Sequence, residues 1–368
     1  MRIALLLAAG MMAALISPAH AASIGCGAVL GPGGRYTLDH DLVCPPTLRS
    51  DDYGWLGILN VSAGATLNLK GHTVSCLPAS PGPPPFNINR LGIRVFQGTV
   101  KNGTVSGCTV GVSAGNGAVV KRVVAASNDA GFEVKEWNVC CTLGGNVFSN
   151  NTATNNRTGF RLLGGQNLVV DNVTIGNGTG IGFYIEDSMH TLLLRNVAIA
   201  HGDGFFDIGG VENQIIENRS IDNRQFGFYF GSYTSSNVVG NVAKRNGEAG
   251  FRIFDAHGST LLANVAKRNG RFGFTIEVND CGDCYGNGVS PPPVLVRFNV
   301  ATRNQYGIVV DPPDEMALTD LEPVATSLLT NVAIDNELYD VQDRNSDCRR
   351  TVWLDNTFRT AFGPCIAD

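Results

Sequence analysis

Charge is scarce in this chain, and neither sign dominates it. Charged residues occupy 16% of 368 positions, with 27 Lys and Arg set against 32 Asp and Glu. That balance excludes the basic surface that nucleic-acid binding requires. It also argues against a strong polyanion clamp over the whole surface, although a local basic patch stays open. Long apolar runs are missing too: after the first 21 residues nothing could span a bilayer. The early run, with Arg2 as its one basic residue, continues apolar to Ile16 and ends in Ser17-Pro18-Ala19-His20-Ala21. A basic start, an apolar centre and a small-x-small end describe a secretory signal peptide cleaved after Ala21. Without Arg2 the chain holds 26 basic and 32 acidic residues, a net charge of −6. The expectation is a secreted or periplasmic monomer with no membrane insertion and no nucleic-acid partner.

Ten cysteines in an exported chain are expected to be largely paired. Cys281 and Cys284 form a Cys-x-x-Cys without two further ligands nearby, so a disulfide, local or to another cysteine, is expected rather than a zinc knuckle. Spacing does not assign Cys76, Cys108, Cys140 or Cys141. Asn-x-Ser/Thr sequons such as Asn102, Asn156, Asn172 and Asn177 fall in repeating columns, and a structural origin accounts for them better than glycosylation.

The repeat itself carries most of the information. Asn172, Asn196, Asn218, Asn241 and Asn264 follow one another at intervals of 24, 22, 23 and 23. Phe160, Phe183, Phe205, Phe228, Phe251 and Phe274 hold a matching period of 22 to 23. A fixed period in the twenties is the mark of a solenoid, in which each repeat buries its apolar face against its neighbours. Segments such as Asn264-Val-Ala-Lys-Arg-Asn-Gly-Arg-Phe-Gly-Phe-Thr-Ile are short, alternating and rich in Val, Ile, Phe and Thr, which reads as strands rather than helices. Gly before Phe and Asn before Val are expected to supply left-handed backbone at tight corners. Leucine-rich repeats would need Leu where this chain has Phe, Val and Ile, and propeller blades need about twice the length. Three strands and three corners per period give an all-β, single-stranded, right-handed parallel β-helix.

On these residues the chain resembles the pectate-lyase-like superfamily of right-handed β-helix repeat proteins. Cys26-Gly-Ala-Val-Leu-Gly-Pro-Gly-Gly-Arg-Tyr-Thr-Leu resembles that family's N-terminal cap, and Ala65-Thr-Leu-Asn-Leu-Lys-Gly-His-Thr-Val its first coil. After the signal peptide expected over 1–21, the resemblance implies an N-terminal cap over 22–54 and a β-helix with a C-terminal cap coil over 55–368. It also implies that disulfides Cys26–Cys44 and Cys348–Cys365 staple the two open ends. For function it is weak, because the superfamily hosts lyases, hydrolases, epimerases and adhesins.

In that family the Gly-Phe strand belongs to the sheet that usually carries the binding cleft. Its inward positions are then the Phe column, and the alternate residues face out. The outward residues include Arg161, Tyr184, Tyr229, Arg252, Thr275 and Val309, then Glu186, Phe254, Glu277 and Asp311, with Asp187, His190, Asp255 and His257 at the next corner. Aromatics stack on sugar faces and arginine pairs a carboxylate, so the expected partner is a polysaccharide of uronic-acid or other polyhydroxylated sugars; the same residues also fit an ordinary solvated sheet face. Elimination or epimerisation at C5 needs a base, an acid and a cation on the carboxylate. Arg252, His257 and Tyr229 are the candidates for those roles, with Arg161, Tyr184 and Glu186 as substrate contacts. Asp255, Glu277 and Asp311 would suit calcium, a hard ion wanting oxygen ligands. Three excursions, after Lys135, Glu277 and Asp311, would place loops along one edge of this sheet.

Strong catalytic signatures are absent. Asp51-Asp52 is the only Asp pair and lies in the cap, and no Arg-x-x-Pro-x-x-Arg segment occurs. Tyr306-Gly-Ile-Val-Val-Asp311-Pro312-Pro313-Asp314 resembles the Tyr-Gly-x-Asp-Pro-His-Asp segment of alginate C5-epimerases, with a longer spacing and Pro313 replacing the histidine. The expectation is therefore a polysaccharide-binding protein acting as a lyase or epimerase, with a non-catalytic solenoid of the cell envelope as the alternative.

Overall fold

A computed structural model of the chain describes residues 23–45, 57–77, 90–134, 144–231, 234–277, 292–312, 326–345, 348 and 351–366. Its strands are short, mostly three to six residues, and every pairing between them is parallel. The Gly-Phe strands stack into one 14-stranded sheet running from Ala28–Leu30 to Ala361–Phe362. The remaining strands form two further columns, joined where Thr99–Ser106 and Val119–Ala126 each run through the corner between them. This is the right-handed parallel β-helix. Stacking begins at Ala28, which pairs with Leu59, so the segment expected as a cap before residue 55 already forms a coil.

The core is layered along the axis. Phe132, Phe160, Phe183, Phe205, Phe228, Phe251 and Phe274 stack face to face, with ring centroids 4.6 to 5.0 Å apart. The second sheet contributes aliphatic side chains such as Val169, Leu193, Ile215 and Val238 to the same space. The third contributes mainly alanine, including Ala198, Ala243 and Ala266, all fully buried. With Leu162, Ile185, Ile253 and Ile276 two places after the Phe column, the first sheet supplies the bulkiest side chains and the third the smallest across the narrow cross-section. Burying each ring contributes roughly 1.5 to 3 kcal/mol.

The asparagine column is a hydrogen-bonded ladder. Asn218 Nδ2 donates to Asn241 Oδ1 at 3.1 Å, the Asn218 backbone N–H donates to the same oxygen at 2.8 Å, and Asn241 Nδ2 donates to the Ile215 carbonyl at 2.7 Å. The ladder extends beyond the residues visible by period, from Asn151 through Asn299 and Asn331 to Asn356. It continues unbroken from Asn264 to Asn299 across a sequence separation of 35. Coil insertions therefore leave the stacking register intact.

Two expectations about corners are corrected. The ladder asparagines do not take the left-handed conformation; the residue before each does, as at Asp171 (φ 56°), Arg195 (φ 52°) and Glu217 (φ 54°). The glycines before Phe have no positive φ either. They are required by space, since a Cβ on Gly227 would lie 2.5 Å from the Gly250 carbonyl oxygen and 2.7 Å from Asn246 Nδ2. The same approach recurs at Gly182, Gly204, Gly250 and Gly273.

Disulfides Cys26–Cys44 and Cys348–Cys365 are formed as expected, and Cys76 pairs with Cys108. Cys140, Cys141, Cys281 and Cys284, the expected signal peptide, and most of the expected loops after Lys135, Glu277 and Asp311 lie outside the described residues. Among the described residues no helix is long and apolar enough to cross a membrane.

Candidate functional site

The outer face of the first sheet gathers an arginine-bracketed line of rings. Backbone register places Arg161, Tyr184, Phe206, Tyr229 and Arg252 opposite one another on consecutive coils. Tyr184 and Phe206 lie 5.9 Å apart between centroids, and Phe206 and Tyr229 stack at 4.3 Å with planes 6° apart. Arg252 stands over three rings at once, 5.3 Å from the Phe226 centroid, 6.0 Å from Tyr229 and 5.5 Å from Phe254. Such contacts hold a guanidinium in place without neutralising it. Glu277 lies 3.5 Å from Arg252, and Glu133 lies 3.6 Å from Arg161 at the far end.

Several of these residues were not visible by strand alternation. Phe226, Ala249, Phe272 and Tyr306 precede the glycine of each strand, where simple alternation would point them inward. Instead they form, with Val309, an apolar cluster separate from the solenoid core. The glycine takes up one position without projecting a side chain, so the residues on either side of the Gly-Phe pair share the outer face. The signal was present as a column of Phe226, Phe272 and Tyr306 two residues before the core position. Asp203 occupies the same column, accepting a hydrogen bond from the Phe226 N–H at 3.1 Å.

Burial tunes the acids here. Desolvation pushes the Asp203 carboxyl above the usual carboxylate range, against the opposing Phe226 N–H bond. Desolvation likewise raises the Tyr229 phenol, with the Arg252 charge acting the other way. Tyr184 is raised first by burial and then by neighbouring Glu186. Asp203, Tyr229 and Arg252 thus follow in order on three consecutive coils.

The structure separates the sequence-expected residues into two groups. Arg161, Tyr184, Glu186, Tyr229, Arg252 and Glu277 lie on strands of the one sheet face. His257 does not: its side chain is 0% exposed. Between Phe254 and Thr260 the chain turns at two left-handed residues, Asp255 (φ 54°) and Gly258 (φ 73°), and the segment between them is tucked into the solenoid. Strand alternation stops at the strand end, which is why extrapolating it into the corner placed His257 outside. Two of the three carboxylates expected to hold calcium have other partners. Asp311 bonds Arg344 at 2.7 Å and accepts from Thr275 Oγ1 at 3.0 Å, while Glu277 faces Arg252. Among the described residues no group of three or more His, Cys, Asp or Glu side chains has an arrangement suited to a metal ion.

Comparison with known proteins agrees with this architecture. The sequence matches the family model described as the right handed beta helix region over residues 91–206 and 185–312. The structure is similar to the A-module of mannuronan C-5 epimerase AlgE6 from Azotobacter vinelandii, with 14% identity, 90% of each chain covered and a TM-score of 0.58. A variant of the periplasmic alginate epimerase AlgG shares 15% identity, with 91% of this chain and 79% of that chain covered and a TM-score of 0.49. The nigerose-bound catalytic domain of a GH87 alpha-1,3-glucanase shares 12% identity, with 91% and 62% covered and a TM-score of 0.45. No curated protein matches the sequence. At these identities the likeness extends to the fold alone.

Proposed function

The chain belongs to the right-handed β-helix family, and from that premise we propose that it is an exported protein that binds a uronate-containing polysaccharide and acts on it as a lyase or C5-epimerase. The reading rests on one observation: a guanidinium boxed by Phe226, Tyr229 and Phe254 stands at the end of the Tyr184–Phe206–Tyr229 stack. Rings along the axis offer platforms to successive sugars, and Arg252, exchanging its 3.5 Å contact with Glu277, offers bidentate pairing to a substrate carboxylate. That one neighbour of the same fold is a mannuronan C-5 epimerase supports the choice of substrate class.

Neutralising the uronate carboxylate acidifies the adjacent C5–H. In this reading Asp203, whose carboxyl is raised by burial, takes that proton; Tyr229, whose phenol stays protonated, delivers one to the opposite face of C5 in epimerisation, or to the departing O4 oxygen as the C4–O4 bond breaks and C4=C5 forms in elimination. Positioned proton transfer of this kind contributes about 10²- to 10⁴-fold. One observation favours the alternative of a non-catalytic solenoid: no described strand of the first sheet carries a histidine.

The test is incubation of the purified mature protein with a panel of uronate polysaccharides, following absorbance of unsaturated product and epimer ratio. Turnover is expected, and Arg252→Ala is expected to lose it at least about 100-fold while changing stability by only about 0.5 kcal/mol. Full activity in Arg252→Ala would sink the assignment. Binding without turnover on every substrate would select the non-catalytic solenoid.

A further inference from the structure

A second feature lies on a different sheet, around the corner from the ring line. His190, Leu192, Glu212, Gln214 and Asn237 line a depression of about 350 Å³ on the outer face of the second sheet. Its floor is a single register column, with Leu192 opposite Gln214 and Gln214 opposite Asn237. Its wall is the contact between His190 Nε2 and Glu212 Oε2, 2.8 Å apart. Both wall residues hold the left-handed conformation, at φ 55° and 54°.

The wall is built by a local irregularity. Register between neighbouring strands shifts between Val211 and Asn213, so Glu212 is an extra residue at a bulge. Bulges re-aim a side chain and cluster beside functional sites. Here the bulge brings the Glu212 carboxylate to His190 on the preceding coil.

We propose that this depression is an independent carbohydrate site for one uncharged sugar residue. The volume is at the small end of ligand sites, the scale of a single ring. Leu192 supplies an apolar patch for the C–H face of a sugar. Among the described residues neither the Gln214 nor the Asn237 side chain makes a hydrogen bond, so each offers an N–H donor and a carbonyl acceptor to hydroxyls. The Glu212 carboxylate stands on the wall and no Lys or Arg is among the lining residues, so the site favours an uncharged ring over a uronate. That distinguishes it from the face around Arg252, and the inference does not depend on the reading of that face.

The test uses the full chain with cellotetraose, maltotetraose and mannotetraose as neutral probes and tetramannuronate as the acidic one, by saturation-transfer NMR and calorimetry. At least one neutral tetrasaccharide is expected to bind. A Gln214→Ala/Asn237→Ala double variant, altering two exposed side chains, should weaken that binding at least tenfold, and Arg252→Ala should leave it unchanged. Absence of binding by all three neutral probes would overturn the proposal. So would neutral binding that survives the double variant, or that disappears in Arg252→Ala. Failure of tetramannuronate to bind, with neutral binding intact, would count only against the uronate reading of the first sheet.

Discussion

Individual residues of this solenoid carry energies set by what surrounds them in the stack. Asp207 sits in the inward column between Ile185 and Phe230, fully buried, with Ser236 Oγ donating to it at 2.8 Å. Burial outweighs that bond and pushes its carboxyl from 3.8 up to about 7. Between those values the folded protein keeps a proton that the unfolded chain has released. The stability from a neutral Asp207 is therefore complete below pH 3.8 and lost as pH rises to about 7, on the order of 4 kcal/mol in total. His201 works in the opposite direction, because burial lowers it from 6.5 to about 4, so stability is lost as pH falls through that window. Urea midpoints of Asp207→Asn should lose the decline on the alkaline side, and a decline matching the wild type would refute the burial argument. A ladder residue shows a different cost. Asn241→Ala would remove the acceptor of the Asn218 backbone N–H and of one Asn218 side-chain N–H, and the donor to the Ile215 carbonyl. A loss of about 3 kcal/mol in chemical denaturation is expected.

At the scale of the element, the Gly-Phe strand is a compromise between the core and the outer face. Its glycine lets the carbonyl of the next coil approach, and it brings two outward residues within reach of each other, as with Phe226 and Tyr229 at 5.6 Å. Gly227→Ala should therefore be costly despite its small size. Overpacking of this kind typically costs 1–3 kcal/mol, and about 3 kcal/mol is expected here because the nearest obstacles are the Gly250 backbone oxygen and the buried Asn246 side-chain amide. Thermal denaturation within about 0.5 kcal/mol of wild type would show that coil spacing is looser than the contacts indicate.

At the scale of the whole molecule, each coil contacts only its neighbours, so stability is close to a sum of coil and interface contributions. The ends have one neighbour fewer, and the disulfides Cys26–Cys44 and Cys348–Cys365 lie there. Each contributes about 2–4 kcal/mol by restricting the unfolded chain. Mild reduction should accelerate amide exchange first in residues 28–44 and 351–362, leaving strands 158–163 to 272–277 protected. Uniform acceleration along the chain would mean that the solenoid unfolds as one unit instead.

The sequence alone determined the architecture, because a solenoid repeats one local solution and period 23 reports it directly. Phe, Asn and Gly columns were legible for that reason, and the family resemblance they carry implied both end disulfides. What lay beyond a single strand was decided by tertiary structure. His257 could not be placed by alternation, since a corner with two left-handed residues turns the side chain inward. Phe226, Phe272 and Tyr306 joined the outer face only because a glycine breaks the two-residue rhythm. The depression beside Glu212 required a bulge that no period reveals. Repetition encodes the stack in sequence, whereas sites arise where a coil departs from it, and those departures take their shape from contact with the coils above and below.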